Sequence, residues 1–168
     1  MNFQKFQTNL IKAAEARDGL NKPFPPGNMY QSNDRFTYIA MNGNYIVGIP
    51  NRFFYLDAKK VFDKPEWDGF KSFLNDAADT KPAIDTHVIR EVDLHGKKNT
   101  FHKFMVNDEA VYIDEKFYKE FYQMYLKDET KACKFTGLTA KSPIYLWYHD
   151  EVVGIILPVF VRGENNVF

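Results

Sequence analysis

The chain has 168 residues, a length that suits one domain with its own hydrophobic core. Basic and acidic side chains both number 22, so bulk charge gives no reason for attraction to nucleic acid or a membrane surface. The one cysteine, Cys133, excludes an intramolecular disulfide, and no run approaches the roughly 18 apolar residues that a membrane helix needs.

Aromatic residues make up 17%, with 16 Phe and 10 Tyr. Such side chains suit pleated, half-buried surfaces and imply a β-containing core. Met1 to Phe6 holds no apolar run of signal-peptide type, so the expected location is the cytoplasm.

Residues 3–16 read as a helix. Phe3, Phe6, Leu10, Ala13 and Ala14 share one face, and Lys5, Asn9, Lys12 and Ala16 the other. Asp18-Gly19 ends it. Asn21 to Asn28, with Pro23, Pro25, Pro26 and Gly27, excludes regular structure. Residues 36–49 read as a β-hairpin around Asn42-Gly43, whose residue types favour the positive φ of a tight turn. Pro50-Asn51 closes it. Phe53 to Leu56 is a further candidate strand, and Asp57 caps a short turn through Phe62.

Pro65 suits the first helical position. The helix it opens extends to about Ala77 and buries Trp67, Phe70, Phe73 and Leu74. Asp76 to Asp85 is polar, contains Pro82 and reads as a connection. His87 to Leu94 and Thr100 to Val106 read as strands joined by the turn His95 to Asn99. Ala110 to Ile113 is a short strand, Asp114 a cap, and Glu115 to Lys127 a helix. Its broad apolar side carries Phe117, Tyr118, Phe121, Tyr122, Met124, Tyr125 and Leu126, against a stripe of Lys116, Lys119, Glu120, Gln123 and Lys127.

Strands at about 132–138, 143–149 and 152–162 follow, the last two joined at His149-Asp150-Glu151. Pro158 cannot donate to a ladder, which marks that end as an edge or bulge. Arg162 to Phe168 reads as a tail. The expected fold is α+β: an antiparallel sheet with helices on one face, in a single domain 1–168 with halves 1–84 and 85–162.

The chemistry-bearing residues are scattered. His95 and His102 flank the Gly96 turn and with Asp93 would make a partial zinc shell. No compact ligand motif accompanies them, so no metal is expected. Cys133 falls on a strand, where small buried cysteines are ordinary. No phosphate loop or dinucleotide fingerprint is present. Asp57, Asp63, Glu66, Asp68, Asp76, Asp79 and Asp85 read as capping and solvation. No catalytic residue and no cofactor follow, and the chain reads as a non-enzymatic binding protein.

Residues 110–162 therefore give strand, helix and three antiparallel strands. An echo occurs earlier: Thr37-Tyr38-Ile39 leading to Val47-Gly48-Ile49 parallels Ile144-Tyr145-Leu146 leading to Val153-Gly154-Ile155. A doubled βαβββ unit resembles the domain of DNA sliding clamps, the polymerase processivity factors. The ending Asp150-Glu151-Val152-Val153-Gly154-Ile155-Ile156-Leu157-Pro158-Val159-Phe160-Val161 is similar to the clamp pattern of an acidic turn before a Pro-containing apolar strand. Val111-Tyr112-Ile113-Asp114-Glu115-Lys116-Phe117 resembles the clamp entry into an inner helix. The resemblance covers 110–162, reaches weakly over 3–50 and breaks down over 51–106. The chain also has length for only about one of the three domains in a bacterial clamp chain.

The resemblance implies a role with DNA-replication or mobile-element proteins. It assigns Lys5, Lys12, Lys116, Lys119 and Lys127 to weak, salt-sensitive contact with DNA phosphates. It assigns Leu157, Pro158, Val159 and Phe160 to a pocket for peptides of replication proteins, and it implies a homo-oligomer. Ordinary alternatives stand beside these roles: a solvated helix face for the lysines and sheet core for the final strand. Two other functional readings fit the same sequence. One is an α+β interaction or regulatory domain without a DNA role. The other is a small enzyme of a different fold, using His95, His102 or Cys133 with a carboxylate.

Overall fold

The computed structural model describes residues 1–19, 29–41, 43–62 and 69–161. The proline segment 21–28, Asn42, Pro65, Trp67 and the 162–168 tail lie outside them. The chain opens with α1 (Phe3–Gly19) and a three-stranded meander, β1 (Met29–Ser32), β2 (Phe36–Met41) and β3 (Tyr45–Pro50). Two short helices follow, α2 (Ala58–Val61) and α3 (Phe70–Ala77). Next come β4 (Lys81–Val92), β5 (Lys98–Val106) and β6 (Glu109–Asp114). Helix α4 (Glu115–Phe121) continues as a π-helical turn (Tyr122–Leu126) and α5 (Lys127–Glu129). The last meander is β7 (Cys133–Gly137), β8 (Ile144–Tyr148) and β9 (Glu151–Ile156).

Among the described residues all nine strands join one sheet in the order β1-β2-β3-β9-β8-β7-β4-β5-β6, with every neighbour antiparallel. The α+β class is as expected. A helix followed by a three-stranded meander occurs twice, as α1-β1-β2-β3 and α4-β7-β8-β9, and the meanders meet where β3 pairs with β9. The strand-first unit is complete only for the second, through β6. The two hairpins are offset by one residue: Tyr38 lies opposite Gly48, whereas Leu146, not Tyr145, lies opposite Gly154.

The boundary expected at 84/85 falls inside β4. Lys81 and Pro82 pair with β7, the strand bulges between Asp85 and His87, and from Ala83 on it pairs with β5. A bulge adds an unpaired residue and bends the strand, so β4 carries the chain from one part of the sheet into the other. Asp76 to Asp85 is therefore not a plain connection. The sheet also curls. Flat, the five strand steps from β9 to β6 would span about 24 Å. Val159, which bridges to Tyr112 of β6, is only three residue steps beyond Ile156 of β9. Three residues reach about 10 Å at most, so β6 must swing back toward β9.

Helices cover both faces of the central strands. Phe117 and Phe121 of α4 pack on Tyr45, with ring centroids 5.1 and 5.7 Å apart, and Phe121 abuts Gly154. Phe70 of α3 stacks on Tyr38 at 4.9 Å, and Phe73 stands by Ile155. Tyr38 and Ile155 alternate in register with Tyr45 and Gly154, so α3 lies on the opposite face from α4. The expected single helical face thus holds for α1 and α4, and α3 is added behind. This explains why β2, β3 and β9 are apolar without alternation: both faces are buried.

Local signals set the helix starts. Asp114 accepts from the Lys116 amide at 3.0 Å and Asp57 from the Lys59 amide at 3.2 Å, as capping requires. In the π-helical turn Met124, Tyr125 and Leu126 are all buried, between the sheet and α1. On α1 the expected core residue Ala13 is exposed, whereas Gln7 is fully buried. Its amide nitrogen donates to the carbonyls of Phe3 (3.2 Å) and Phe53 (2.8 Å), and its oxygen accepts from the Tyr55 amide (2.9 Å). That side chain holds residues 53–55 to α1. These residues form a 3₁₀ turn (Asn51–Phe53) and irregular backbone instead of the expected strand. The last strand is also shorter than expected, stopping at Ile156.

Candidate functional site

Where the β3–β9 ladder ends at Val47/Gly154, two tyrosines complete it from opposite faces. The Tyr125 hydroxyl donates to the Gly48 carbonyl, and the Tyr38 hydroxyl donates to the Val152 carbonyl at 3.0 Å. Burial pushes the Tyr38 phenol up to about 12 and the Tyr125 phenol well above its usual value. These groups are neutral donors inside the core, and the centre of the sheet is a rigid platform for whatever its two faces present.

On one face α1 and α4 lie together. The Asn2 amide reaches the Gln123 carbonyl, and the Phe3 and Tyr125 rings meet edge-on at 5.1 Å. Lys5, Lys12, Lys116, Lys119 and Lys127 are all exposed on this helix pair. Carboxylates are interleaved with them. Lys119 pairs with Glu115 at 3.4 Å, and Lys116 lies 3.6 Å from Asp114 and over the Phe117 ring at 4.8 Å. Burial raises the Glu120 carboxyl, and the Lys5 charge nearby partly offsets that rise. The five lysines named from the sequence are exposed, but the charges around them are mixed in sign, and exposed pairs of this kind are worth little.

On the other face, beside the final strand, lies an apolar pocket of about 140 Å³. It is lined by Ala40, Gly43, Tyr45, Ile46, Phe73, Ile155 and Leu157. Ligand sites for whole small molecules run to several hundred Å³, so this one has room for a single large apolar side chain. Of the four residues expected beside it, only Leu157 lines it. Leu157 is anchored by its amide to the Asn44 carbonyl at 3.0 Å. Val159 turns away, donates its amide to the Tyr112 carbonyl at 2.8 Å, and packs in a separate cluster with Phe101, Tyr112 and Val161. Pro158 is half-buried between them, and Phe160 is 72% exposed.

The histidines do not gather as their spacing suggested. His95 sits exposed in the turn, where the Asp93 carboxylate accepts from the His95 and Lys97 amides, both at 2.8 Å. His102 is buried on β5. Its Nδ1 is 3.0 Å from Asp85 and its Nε2 3.9 Å from Glu115, and its ring stacks on Tyr118 at 3.8 Å. Asp85 stands at the bulge of β4, so this cluster ties the bend in the sheet to α4. Burial, followed by the Asp85 charge, raises the Tyr118 phenol to about 12. Cys133 is half-buried on β7, and burial, reinforced by Glu129, pushes its thiol up to about 11, away from thiolate chemistry. Among the described residues no three His, Cys, Asp or Glu side chains gather to hold a metal ion. No helix among them is long and apolar enough to cross a membrane.

Sequence reasoning expected a pocket beside the final strand but named only Leu157 of its lining, and it missed the Asp85–His102–Glu115 contact. Both assemble residues from distant segments, and no local pattern reports that. The one available signal for the pocket was the pairing of the two Gly-containing hairpins, which brings Ile46 beside Ile155. The fold and this site define a class: an α+β domain built on a sheet covered on both faces, with a lysine-bearing helix pair in front and a small apolar pocket behind. The chain matches no protein-family model, no curated protein and no solved structure.

Proposed function

We propose that this chain is a non-enzymatic, clamp-like binding module that acts with DNA-replication or mobile-element proteins. It holds a short peptide of such a partner by one apolar anchor residue. The observation that carries the reading is the apolar pocket against β9 and Leu157, on the sheet face opposite the α1–α4 helix pair. The doubled helix-and-meander arrangement supports the same reading. In this role the lysines of α1 and α4 make a few loose phosphate contacts, and the interleaved Asp114, Glu115 and Glu120 keep that contact weak and salt-sensitive.

Selection of displayed random peptides against the purified protein tests the pocket. The reading expects peptides that share one large aliphatic or aromatic anchor and that no longer bind Leu157→Arg, which places a charge at the pocket wall. Peptides without an anchor, or binding indifferent to Leu157→Arg, would reject it. Anisotropy of a short labelled duplex at low and physiological salt tests the DNA arm. Weak binding that fades with salt and is lost in Lys116→Glu/Lys119→Glu is the expected result.

A further inference from the structure

The sheet forks at one end. The β3–β9 ladder stops at Val47/Gly154, and continued pairing would have set Pro50 against Glu151. Instead both residues line a cleft of about 440 Å³. That volume lies in the range of small-molecule sites. An Arg35–Glu151 ion pair spans the fork, from the turn before β2 to the start of β9.

One wall of the cleft is fixed by its own hydrogen bonds. The Asn33 side-chain oxygen accepts from the Arg35 and Phe36 amides at 2.9 and 2.8 Å. The Asn51 side chain donates to the Asn33 carbonyl and accepts from the Thr37 hydroxyl, both at 2.8 Å. The Asn51 backbone amide donates to the Arg35 carbonyl at 2.9 Å. These bonds hold the turn that carries Asp34 beside the turn that carries Arg52, so little order is lost when a ligand arrives. On the β8–β9 side, the His149 amide donates to the Ala132 carbonyl at 2.8 Å, which steadies the turn next to Tyr148.

The charges of the cleft select its ligand. Arg35 and Glu151 satisfy each other. Asp34 and Arg52 are exposed and line the same cleft, yet neither forms an ion pair with the other or with any other described residue. The Arg52 guanidinium lies over the Phe53 ring at 4.7 Å. A ligand of one sign meets one attractive and one repulsive group here. A ligand carrying both signs satisfies the two together. Phe36, Pro50 and Tyr148 supply the apolar part of the lining.

We infer that this cleft binds a free α-amino acid with a large apolar side chain. Its carboxylate sits on Arg52, its ammonium on Asp34, and its side chain against Phe36 and Tyr148. A peptide segment from the middle of a chain carries neither terminal charge and does not fit the same pattern. The inference goes beyond the peptide-binding reading and does not depend on it, because the cleft and the Leu157 pocket share no lining residue.

Isothermal titration calorimetry of the full chain with L-phenylalanine provides the test. Two analogues run beside it: phenethylamine, which lacks the carboxylate, and hydrocinnamate, which lacks the ammonium. The expected result is one L-phenylalanine per chain and roughly tenfold weaker binding of each analogue. Arg52→Gln should weaken L-phenylalanine but not phenethylamine, and Asp34→Asn should weaken L-phenylalanine but not hydrocinnamate. Retained binding of the matching analogue separates a lost contact from a misfolded chain. No binding at about 1 mM ligand, an analogue as tight as the amino acid, or binding indifferent to Arg52→Gln would each overturn the inference. Inorganic phosphate that binds as tightly as L-phenylalanine would make this an anion site and overturn it too. Leu157→Arg should leave the titration unchanged; loss there would place the ligand in the other pocket and overturn the inference. A peptide selection that fails while the titration behaves as described rejects the peptide pocket and leaves the amino-acid cleft standing.

Discussion

The six strands β1-β2-β3-β9-β8-β7 and the three strands β4-β5-β6 belong to one sheet but are covered differently. The first group lies between α1 and α4 on one side and α3 on the other, and β2, β3 and β9 are buried along nearly their whole length. The second group has α4 on one face and a small cluster of Phe101, Tyr112 and Val161 on the other, and it leaves β4 exposed. The deepest packing therefore lies in the first region, and the most exposed strand in the second. A strand buried on both faces tolerates little change, whereas an exposed edge tolerates much.

Substitutions that break this contrast should rank accordingly. Phe121→Ala removes the fully buried ring between Tyr45 and Gly154 and should cost about 3–5 kcal/mol in urea unfolding. Gly154→Ala drives a Cβ into the same ring and should cost about 1–3 kcal/mol by overpacking. Gln7→Leu keeps the volume but strands the Tyr55 amide and the Phe53 carbonyl, at about 1–3 kcal/mol by the same measurement. Val92→Thr, on the exposed edge, should stay within about 0.5 kcal/mol of the native chain.

The pH dependence sharpens the same contrast. The phenols of Tyr38 and Tyr118 are held near 12 in the folded chain, against 10.0 for an ordinary tyrosine, by burial first in each case. A group whose folded pKa is raised binds its proton more tightly when folded. Its contribution is intact below pH 10 and is lost as pH rises from 10 through 12. Unfolding monitored across that range should show stability falling on the alkaline side, with a shallower fall in Tyr38→Phe.

Much of the fold was legible in the sequence because its signals are local. Asp57 and Asp114 announced their helices by capping. Gly43, with φ +68°, and Gly96, with φ +78°, supplied the positive φ that their turns need. The apolar stripe of α4 fixed its buried side. What was not legible depends on long-range partners. β1 exists because it pairs with β2, and four residues alone give no pattern. Pro82 sits in a strand because β4 meets β7 only briefly there. The lysines of the helix pair were readable from periodicity, as were the Asp114 and Glu115 neighbours on the same helix, but the approach of Glu120 to Lys5 across the two helices was not. The pocket draws on β2, β3, α3 and β9, and only the assembled sheet brings Ala40, Ile46, Phe73 and Leu157 together.

The most direct test of the clamp-like reading is a methyl NMR titration with a peptide from the displayed-peptide selection. The account predicts that the methyl groups of Ile46, Ile155 and Leu157 shift together and saturate with one peptide per chain. Methyls on β4, such as those of Val88 and Val92, should stay still. Shifts confined to β4 or spread over unrelated surfaces, with the three pocket methyls unmoved, would contradict the account.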